Sequence, residues 1–355
     1  MLSYLAIMNL QPIGTALASY GMSGKIFHAP FLERHEGFRL KLILERSKTL
    51  SKEKYPNAEI VNSFEEVLSD EEIDLVVVNT PTCLHFEMCK QALLAGKNVV
   101  VEKPFTSTVA EGEELIELAQ KMKLILTVYH NKRLEGEVLT IKELIGKGKF
   151  GDLKTIKLAL HRYRPEIGAK KWKEEQNPGA GLLYDIGSHM VDFALVMFGD
   201  PISIDADLQI QRKDGQVIDY FSINMFYKGF EVNLLSDMLT NEKKPSITVE
   251  GSKGSFVKYG HDPQQVNLAK GVIDWEGVGK DSPTNYGTFT STELTAEDES
   301  VEVIKTKEGT YKDFYQNLFE VFNKESSLFV TPQQALKVVK VIEEVLIAAE
   351  QGKLE

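Results

Sequence analysis

Up to about residue 130 the chain alternates short apolar runs with stretches of helical periodicity, the arrangement of βαβ units around a parallel sheet. The runs at 15–18, 40–44, 75–79, 98–101 and 125–129 read as strands. Helices are expected over 63–68, 85–95 and 109–121, the last with Leu115, Ile116, Leu118 and Ala119 on one side. Leu75-Val76-Val77-Val78 and Val99-Val100-Val101 are continuous and mostly β-branched, as in strands covered by helices on both faces. Beyond Leu153 the period becomes two, over 153–161, 217–227, 230–238, 246–250 and 255–259, with Lys228-Gly229 and Ser252-Lys253-Gly254 placed as hairpin turns. A helix over 182–198 interrupts this second sheet. Another, over 332–350, closes the chain, with Val338, Val341, Ile342, Val345 and Leu346 along one face. The span 266–299 is polar and turn-rich and is expected to form irregular loops. The fold class is α/β: a doubly wound domain over 1–130, then an α+β domain over 131–355 built on a mostly antiparallel sheet. The last helix is placed to pack back on the first domain.

The 355 residues, 43% hydrophobic and 26% charged, suit two medium domains better than one. Net charge is −11, with acidic residues spread along the chain; this disfavours nucleic acid and anionic membranes, which select a basic face. The two cysteines, Cys83 and Cys89, supply neither a disulfide framework nor a Cys-x-x-Cys metal site, and a reducing cytoplasm fits. The apolar opening 1–7 has no Lys or Arg before it and is too short to span a bilayer. It reads as an extended start or a disordered arm, set with residues 8–10 ahead of the first strand.

After the first strand comes Ser19-Tyr20-Gly21-Met22-Ser23-Gly24, where a Rossmann fold places its glycine-rich turn. Gly21 lets the backbone approach a pyrophosphate, Gly24 allows close helix-to-strand packing, and the following helix N-terminus faces the phosphates. Ser19 stands where the first glycine is usual, so the run alone is equally an ordinary tight turn. The second strand ends in Glu45-Arg46-Ser47-Lys48, where a ribose 2′ substituent is read. Glu45 suits the 2′-hydroxyl of NAD, whereas Arg46, Ser47 and Lys48 offer donors to the 2′-phosphate of NADP. Three donors tip the balance towards NADP; a solvated charge cluster after a strand is the other reading.

Two further strand ends, Asn79-Thr80-Pro81 and Glu102-Lys103-Pro104, point to the same crevice, because ligands of open α/β sheets bind at the carboxyl ends of strands. Each proline drives the residue before it away from helical geometry, holding Thr80 and Lys103 extended. A lysine so placed either serves chemistry or caps a strand in solvent.

The run 19–31 (Ser-Tyr-Gly-Met-Ser-Gly-Lys-Ile-Phe-His-Ala-Pro-Phe), Asn79-Thr80-Pro81, Val101-Glu102-Lys103-Pro104-Phe105 and the run 181–189 (Gly-Leu-Leu-Tyr-Asp-Ile-Gly-Ser-His) together resemble the Gfo/Idh/MocA oxidoreductase family. The resemblance covers essentially the whole chain, in order and with family-like spacing. Phe27-His28-Ala29-Pro30, Val128-Tyr129-His130-Asn131-Lys132-Arg133 and Arg162-Tyr163-Arg164-Pro165 are most similar to its NADP-dependent scyllo-inositol dehydrogenase type. It implies a Rossmann domain followed by an open-faced sheet domain, the sheet often serving dimer or tetramer contacts. It further implies a hydride transfer between a nicotinamide and a sugar, inositol or related polyol or keto-sugar, with Lys103, Asp185 and His189 in the catalytic positions. Around the coenzyme it sets Asn79, Thr80, Pro81, His85, Glu102, Lys103 and Asn131 beside residues 19–24 and 45–48. The departures are Ser19 for glycine, which bears on the phosphate loop, and Lys132 where a second arginine is common, which bears on substrate preference.

Asp185 and His189 lie four apart in a helical segment and project from one face, so the carboxylate can orient the imidazole. Oxidising an alcohol needs a base for the hydroxyl proton, and His189, titrating near neutrality, is the candidate. Lys103 would bond the same hydroxyl and steady the developing oxyanion, its charge depressing the pKa of a neighbouring His. His28 and His85 either reach coenzyme or substrate or serve packing. Tyr163, Trp172 and Arg164 either line a sugar site or pack in sheet and loop. Two other functions compete: a glycosidase that uses tightly held NAD transiently, as some members of that family do, and a non-catalytic dinucleotide-binding sensor.

Overall fold

The computed structural model describes residues 11–168, 171–271, 276–292 and 301–351; the arm expected over 1–10 lies outside the described residues. In the first unit the strands are β1 (Ile13–Leu17), β2 (Phe38–Leu44), β3 (Glu59–Val61), β4 (Leu75–Val78), β5 (Asn98–Val101) and β6 (Leu126–Val128). They alternate with α1 (Ala29–Arg34), α2 (Phe64–Ser69), α3 (His85–Leu94) and α4 (Val109–Met122). Ser63 starts α2 and Thr108 starts α4 through capping boxes, each hydroxyl accepting from the third helical N–H while Glu66 or Glu111 accepts from the cap residue's own N–H. All strand pairs are parallel and the order is β3-β2-β1-β4-β5-β6. The order reverses between β1 and β4, so a crevice opens beyond their carboxyl ends. This is the doubly wound sheet expected from the β-branched runs, and β4 and β5 are buried as such runs require.

The second unit carries α5 (Gly136–Gly146), β7 (Leu153–His161), α6 (Lys171–Glu174), α7 (Ser188–Phe198), β8 (Ser203–Gln209), β9 (Tyr220–Tyr227), β10 (Phe230–Asp237), β11 (Ile247–Gly251), β12 (Gly254–Lys258), α8 (Gln264–Ala269), β13 (Gly287–Ser291) and β14 (Val301–Ile304). Its eight strands run β14-β13-β12-β11-β7-β10-β9-β8, antiparallel except where β7 meets β10. Two elements correct the expectation of loops over 266–299: α8 ends inside that span and β13 lies within it. Only two positions of β13 face the core, Gly287 and Phe289, which is too little alternation to register as a strand. The edge strand β8 escaped for the same reason, since Leu208 is its one buried side chain.

The last helices, α9 (Lys312–Phe322) and α10 (Pro332–Gln351), knit the units together. Tyr311, Phe314, Tyr315, Leu318, Ala335, Leu336 and Val339 join the core of the first sheet. Val338, Val341, Ile342 and Val345 of α10 join the core of the second. A second link is ionic. Arg133, just after β6, makes a bidentate pair with Asp192 of α7 (Nε–Oδ2 2.8 Å, Nη2–Oδ1 2.6 Å) and also donates to Gln334 of α10 at 2.9 Å. Both partners are buried, so removing one strands the other's charge in a dry interior. We expect Arg133→Ala to cost about 3–5 kcal/mol of stability, read as a lowered urea midpoint; a loss below about 1 kcal/mol, typical of a solvated pair, would show that the knot does not hold the units.

Candidate active site

The crevice at the β1/β4 switch is a cleft of about 1520 Å³ lined by Ser19, Tyr20, Gly21 and Met22, by Glu45, Arg46, Ser47 and Lys48, and by Thr80 and Pro81. Lys25 and Lys54 also line it, two cations that the sequence motifs did not single out. Gly24 sits beneath the wall: a Cβ there would collide with the Ser19 carbonyl and with Nδ2 of Asn79. Asn79 fastens the turn by donating from Nδ2 to the Ser19 carbonyl at 2.8 Å, and the Ser23 hydroxyl donates to the Asn79 carbonyl at 3.4 Å. Glu45 is turned inward. Its carboxylate accepts from Ser51 N (2.8 Å), the Ser51 hydroxyl and Leu50 N (3.0 Å), while Arg46, Ser47 and Lys48 are exposed on the loop that it pins.

Glu102, His85 and Asn131 are buried and, like Asn79 and Lys103, are not among the residues that line the cleft. His28 and His85 are both buried and hydrogen-bonded within the protein. His28 bridges the Tyr315 hydroxyl (2.7 Å) and Oε1 of Glu102 (3.0 Å), and Oε2 of Glu102 accepts from Lys103 N at 3.1 Å. Burial opposes the Glu102 charge, yet the His28 hydrogen bond and the nearby Lys103 charge hold its carboxyl below the usual range. His85 places one ring nitrogen 2.9 Å from the Pro104 carbonyl and the other 3.0 Å from the Thr80 carbonyl, tying together the two strand ends that the prolines mark.

Lys103 reaches across to the second unit. Its Nζ donates to the Asp185 carbonyl at 2.7 Å and to Oδ1 at 3.0 Å. The helix carrying Asp185 enters at Gly181 (φ +89°), where a Cβ would lie 3.0 Å from the Ile218 carbonyl, and begins with a wide π turn over Leu183–Gly187 before α7. Such turns re-aim side chains at functional sites. Oδ2 of Asp185 is held by Lys173 of α6 at 2.8 Å, a lysine that no motif had marked. Burial opposes the charge, but Lys103 and Lys173 together hold the Asp185 carboxyl far below its ordinary range. The expected carboxylate–imidazole bond is therefore not made: each carboxylate oxygen is claimed by a lysine, and Nδ1 of His189 is buried without a hydrogen-bond partner among the described residues.

His189 also differs from expectation in its titration. Burial, then Lys103 and Lys132, push its pKa well below the neutral range, so the ring is uncharged at neutral pH. His130 is a second buried imidazole beside these groups, pushed down to about 4 by burial; neither nitrogen is hydrogen-bonded among the described residues, and Nδ1 lies 3.7 Å from Oδ2 of Asp192. Arg162 lies within electrostatic reach of Asp185, whereas Tyr163 and Arg164 are exposed and the backbone of Tyr163 bridges Leu239. The Trp172 side chain lies outside the described residues.

An α/β fold with a switch-point cleft, and a lysine, a carboxylate and a neutral imidazole gathered beside it, defines a dinucleotide-dependent oxidoreductase. The chain belongs to the Gfo/Idh/MocA oxidoreductase family: its NAD-binding Rossmann fold matches residues 13–130 and its C-terminal alpha/beta domain matches 142–354. The scyllo-inositol 2-dehydrogenase (NADP(+)) IolW of Bacillus subtilis is 34% identical over 346 residues, 97% of this chain and 96% of that protein. Among solved structures, the oxidoreductase yvaA of Bacillus subtilis superposes with a TM-score of 0.92 at 34% identity, covering 97% of this chain and 98% of that one. An oxidoreductase of Bacteroides fragilis superposes with a TM-score of 0.86 at 40% identity, covering 96% and 98%. No helix among the described residues is long and apolar enough to cross a membrane.

The buried imidazoles set a pH dependence. His130, pushed down to about 4 chiefly by burial, and His189 stay neutral in the fold while the unfolded chain protonates them below about 6.5. Their contribution to stability is complete above about pH 6.5 and is lost as pH falls towards 4. The urea midpoint should drop across that window. His130→Phe, which removes the titrating ring, should flatten the slope, and an unchanged slope would clear His130 of any part in it.

Proposed function

We propose that this protein is a dehydrogenase or reductase of a cyclic polyol, sugar or keto-sugar, with NADP preferred over NAD. The observation that carries this reading is Lys103, just past the end of β5 and bonded to Asp185 one helical turn ahead of His189. The exposed donors Arg46, Ser47 and Lys48 fit a 2′-phosphate, and Glu45, occupied by its own loop, is poorly placed to select a free 2′-hydroxyl. The resemblance to the NADP-dependent inositol dehydrogenase IolW supports the same class of substrate and coenzyme.

A nicotinamide bound in the cleft supplies the hydride acceptor, or the donor in the reverse direction. His189 takes the proton of the substrate hydroxyl, which its neutral state permits at ordinary pH. Lys103 is oriented by Asp185 and donates to the oxygen on which charge develops. Lys173 shares the Asp185 carboxylate, so that carboxylate stays ionised and anchors the Lys103 ammonium without competing for the proton.

A panel of inositols, aldoses and keto-sugars with NADP and NAD, followed by absorbance of the reduced nicotinamide, tests the reading. Lys103→Ala and His189→Ala should each lower kcat by about 10²–10⁴-fold while coenzyme still binds; near-normal kcat in either removes that residue from the chemistry. Replacing Arg46 and Lys48 together by Ala should raise the KM for NADP by roughly 10–100-fold, the worth of one or two charge-assisted hydrogen bonds, and leave that for NAD little changed. Equal effects on the two coenzymes would contradict the assignment of the 2′-phosphate site.

A further inference from the structure

A second cavity, of about 270 Å³, lies between α5 and α7 over the second sheet. Its wall includes buried Glu137 and half-buried His189, and at the other extreme exposed Lys142 and Val196. It shares no lining residue with the coenzyme cleft. The volume accommodates several waters at roughly 30 Å³ each. Glu137 is only 3% exposed; Oε1 accepts from Asp262 N at 3.1 Å, and Oε2 is buried with no hydrogen-bond partner among the described residues. An unpartnered buried carboxylate oxygen is costly to keep unless something uses it.

The groups around Glu137 come from every neighbouring segment: Lys132 and Glu135 from the turn before α5, His261 and Asp262 from the loop before α8, and Tyr311, which donates to Glu135 at 2.8 Å. Burial and the charges of Glu135 and Asp262 push the Glu137 carboxyl up, against the pull of Lys132. An imidazolium at His189 would meanwhile face Lys103 and Lys132, so a proton arriving there is held weakly. Weak retention calls for an onward acceptor, and Asp185 cannot serve, since its carboxylate is bound by two lysines.

We propose that this cavity is a proton path, separate from the coenzyme cleft, in which Glu137 exchanges protons with His189 through water and with solvent past Lys142 and Val196. The inference rests on the functional reading above. In oxidation, the substrate hydroxyl gives its proton to one ring nitrogen of His189 while the hydride leaves for the nicotinamide. The ring then releases a proton from its other nitrogen to cavity water, Oε2 of Glu137 takes up a proton from that water, the carboxyl returns it to solvent, and proton exchange with the cavity water restores the starting tautomer of the ring. Reduction runs the same transfers backwards, with one proton consumed and one hydride spent.

Glu137→Gln keeps an oxygen for Asp262 N and so tests the path with the fold intact. The expected result is a kcat lowered on the order of 10-fold or more, unchanged KM for polyol and coenzyme, and a larger solvent deuterium isotope effect. Added formate or acetate should restore part of the rate, and Glu137→Asp most of it. Val196→Trp, which closes the mouth, should reproduce the kinetic signature with Glu137 in place. Wild-type kcat and isotope effect in Glu137→Gln would overturn the proposal, as would a slowed variant that neither formate nor acetate rescues. Absence of turnover by the wild-type enzyme across the panel would instead count against the functional reading. In that case the infrared difference between wild type and Glu137→Gln still decides the path: a protonated-carboxyl band that responds to pH supports it, and no such band overturns it.

Discussion

The ion pair between Lys103 and Asp185 is the contact on which the rest of the site depends. It spans the two units, one partner at the end of a parallel strand and the other on the π turn that opens α7. A half-buried pair of this kind contributes little to net stability, because desolvation offsets most of the attraction. Its effect is on geometry and charge. Lys103 is fixed by Asp185 at its head and, through Glu102, by the His28–Tyr315 chain at its backbone. With Lys173 as a third member the cluster carries net positive charge, and that charge, together with burial, keeps His189 neutral.

For that pair to form, the units must be held in one arrangement, and chain connectivity accomplishes this by returning late elements to early ones. Helix α10 divides its apolar side chains between the two cores, and α9 delivers Tyr315 to His28. Arg133, at the crossover after β6, binds Asp192 three residues beyond His189 and so sets the rotation of α7. The coenzyme cleft and the Glu137 cavity then have no lining residue in common; His189 lines the second, and Lys103 and Asp185 line neither.

The parallel strands were legible because burial on both faces demands unbroken β-branched runs, and β4 and β5 supply them. The helix α4 was legible through its apolar stripe, and the capping boxes at Ser63 and Thr108 fix where α2 and α4 begin. The strands β8 and β13 and the helix α5 were not, since their buried positions are few or polar: Leu208 alone in β8, and Glu137 and Thr140 within α5. At the site, the turn at 19–24, the loop at 45–48 and the lysine before Pro104 stood out by chemistry and position. Lys173 did not, because nothing in a surface-like run of charged residues signals that one of them folds onto Asp185.

Local order was therefore determined by the sequence itself: two units of different texture, the strand ends that carry the candidate residues, and the turn chemistry beside them. These follow from short-range rules, since backbone geometry and burial periodicity act over a few residues. The tertiary structure decided which charges meet. Asp185 engages two lysines and not His189, Glu45 folds inward, His85 and His28 become struts, and Glu137 is left with an oxygen that has no partner among the described residues. A side chain's charge state and partners depend on groups up to hundreds of residues away and on how much water the fold excludes, and neither quantity is written in any local stretch of the chain.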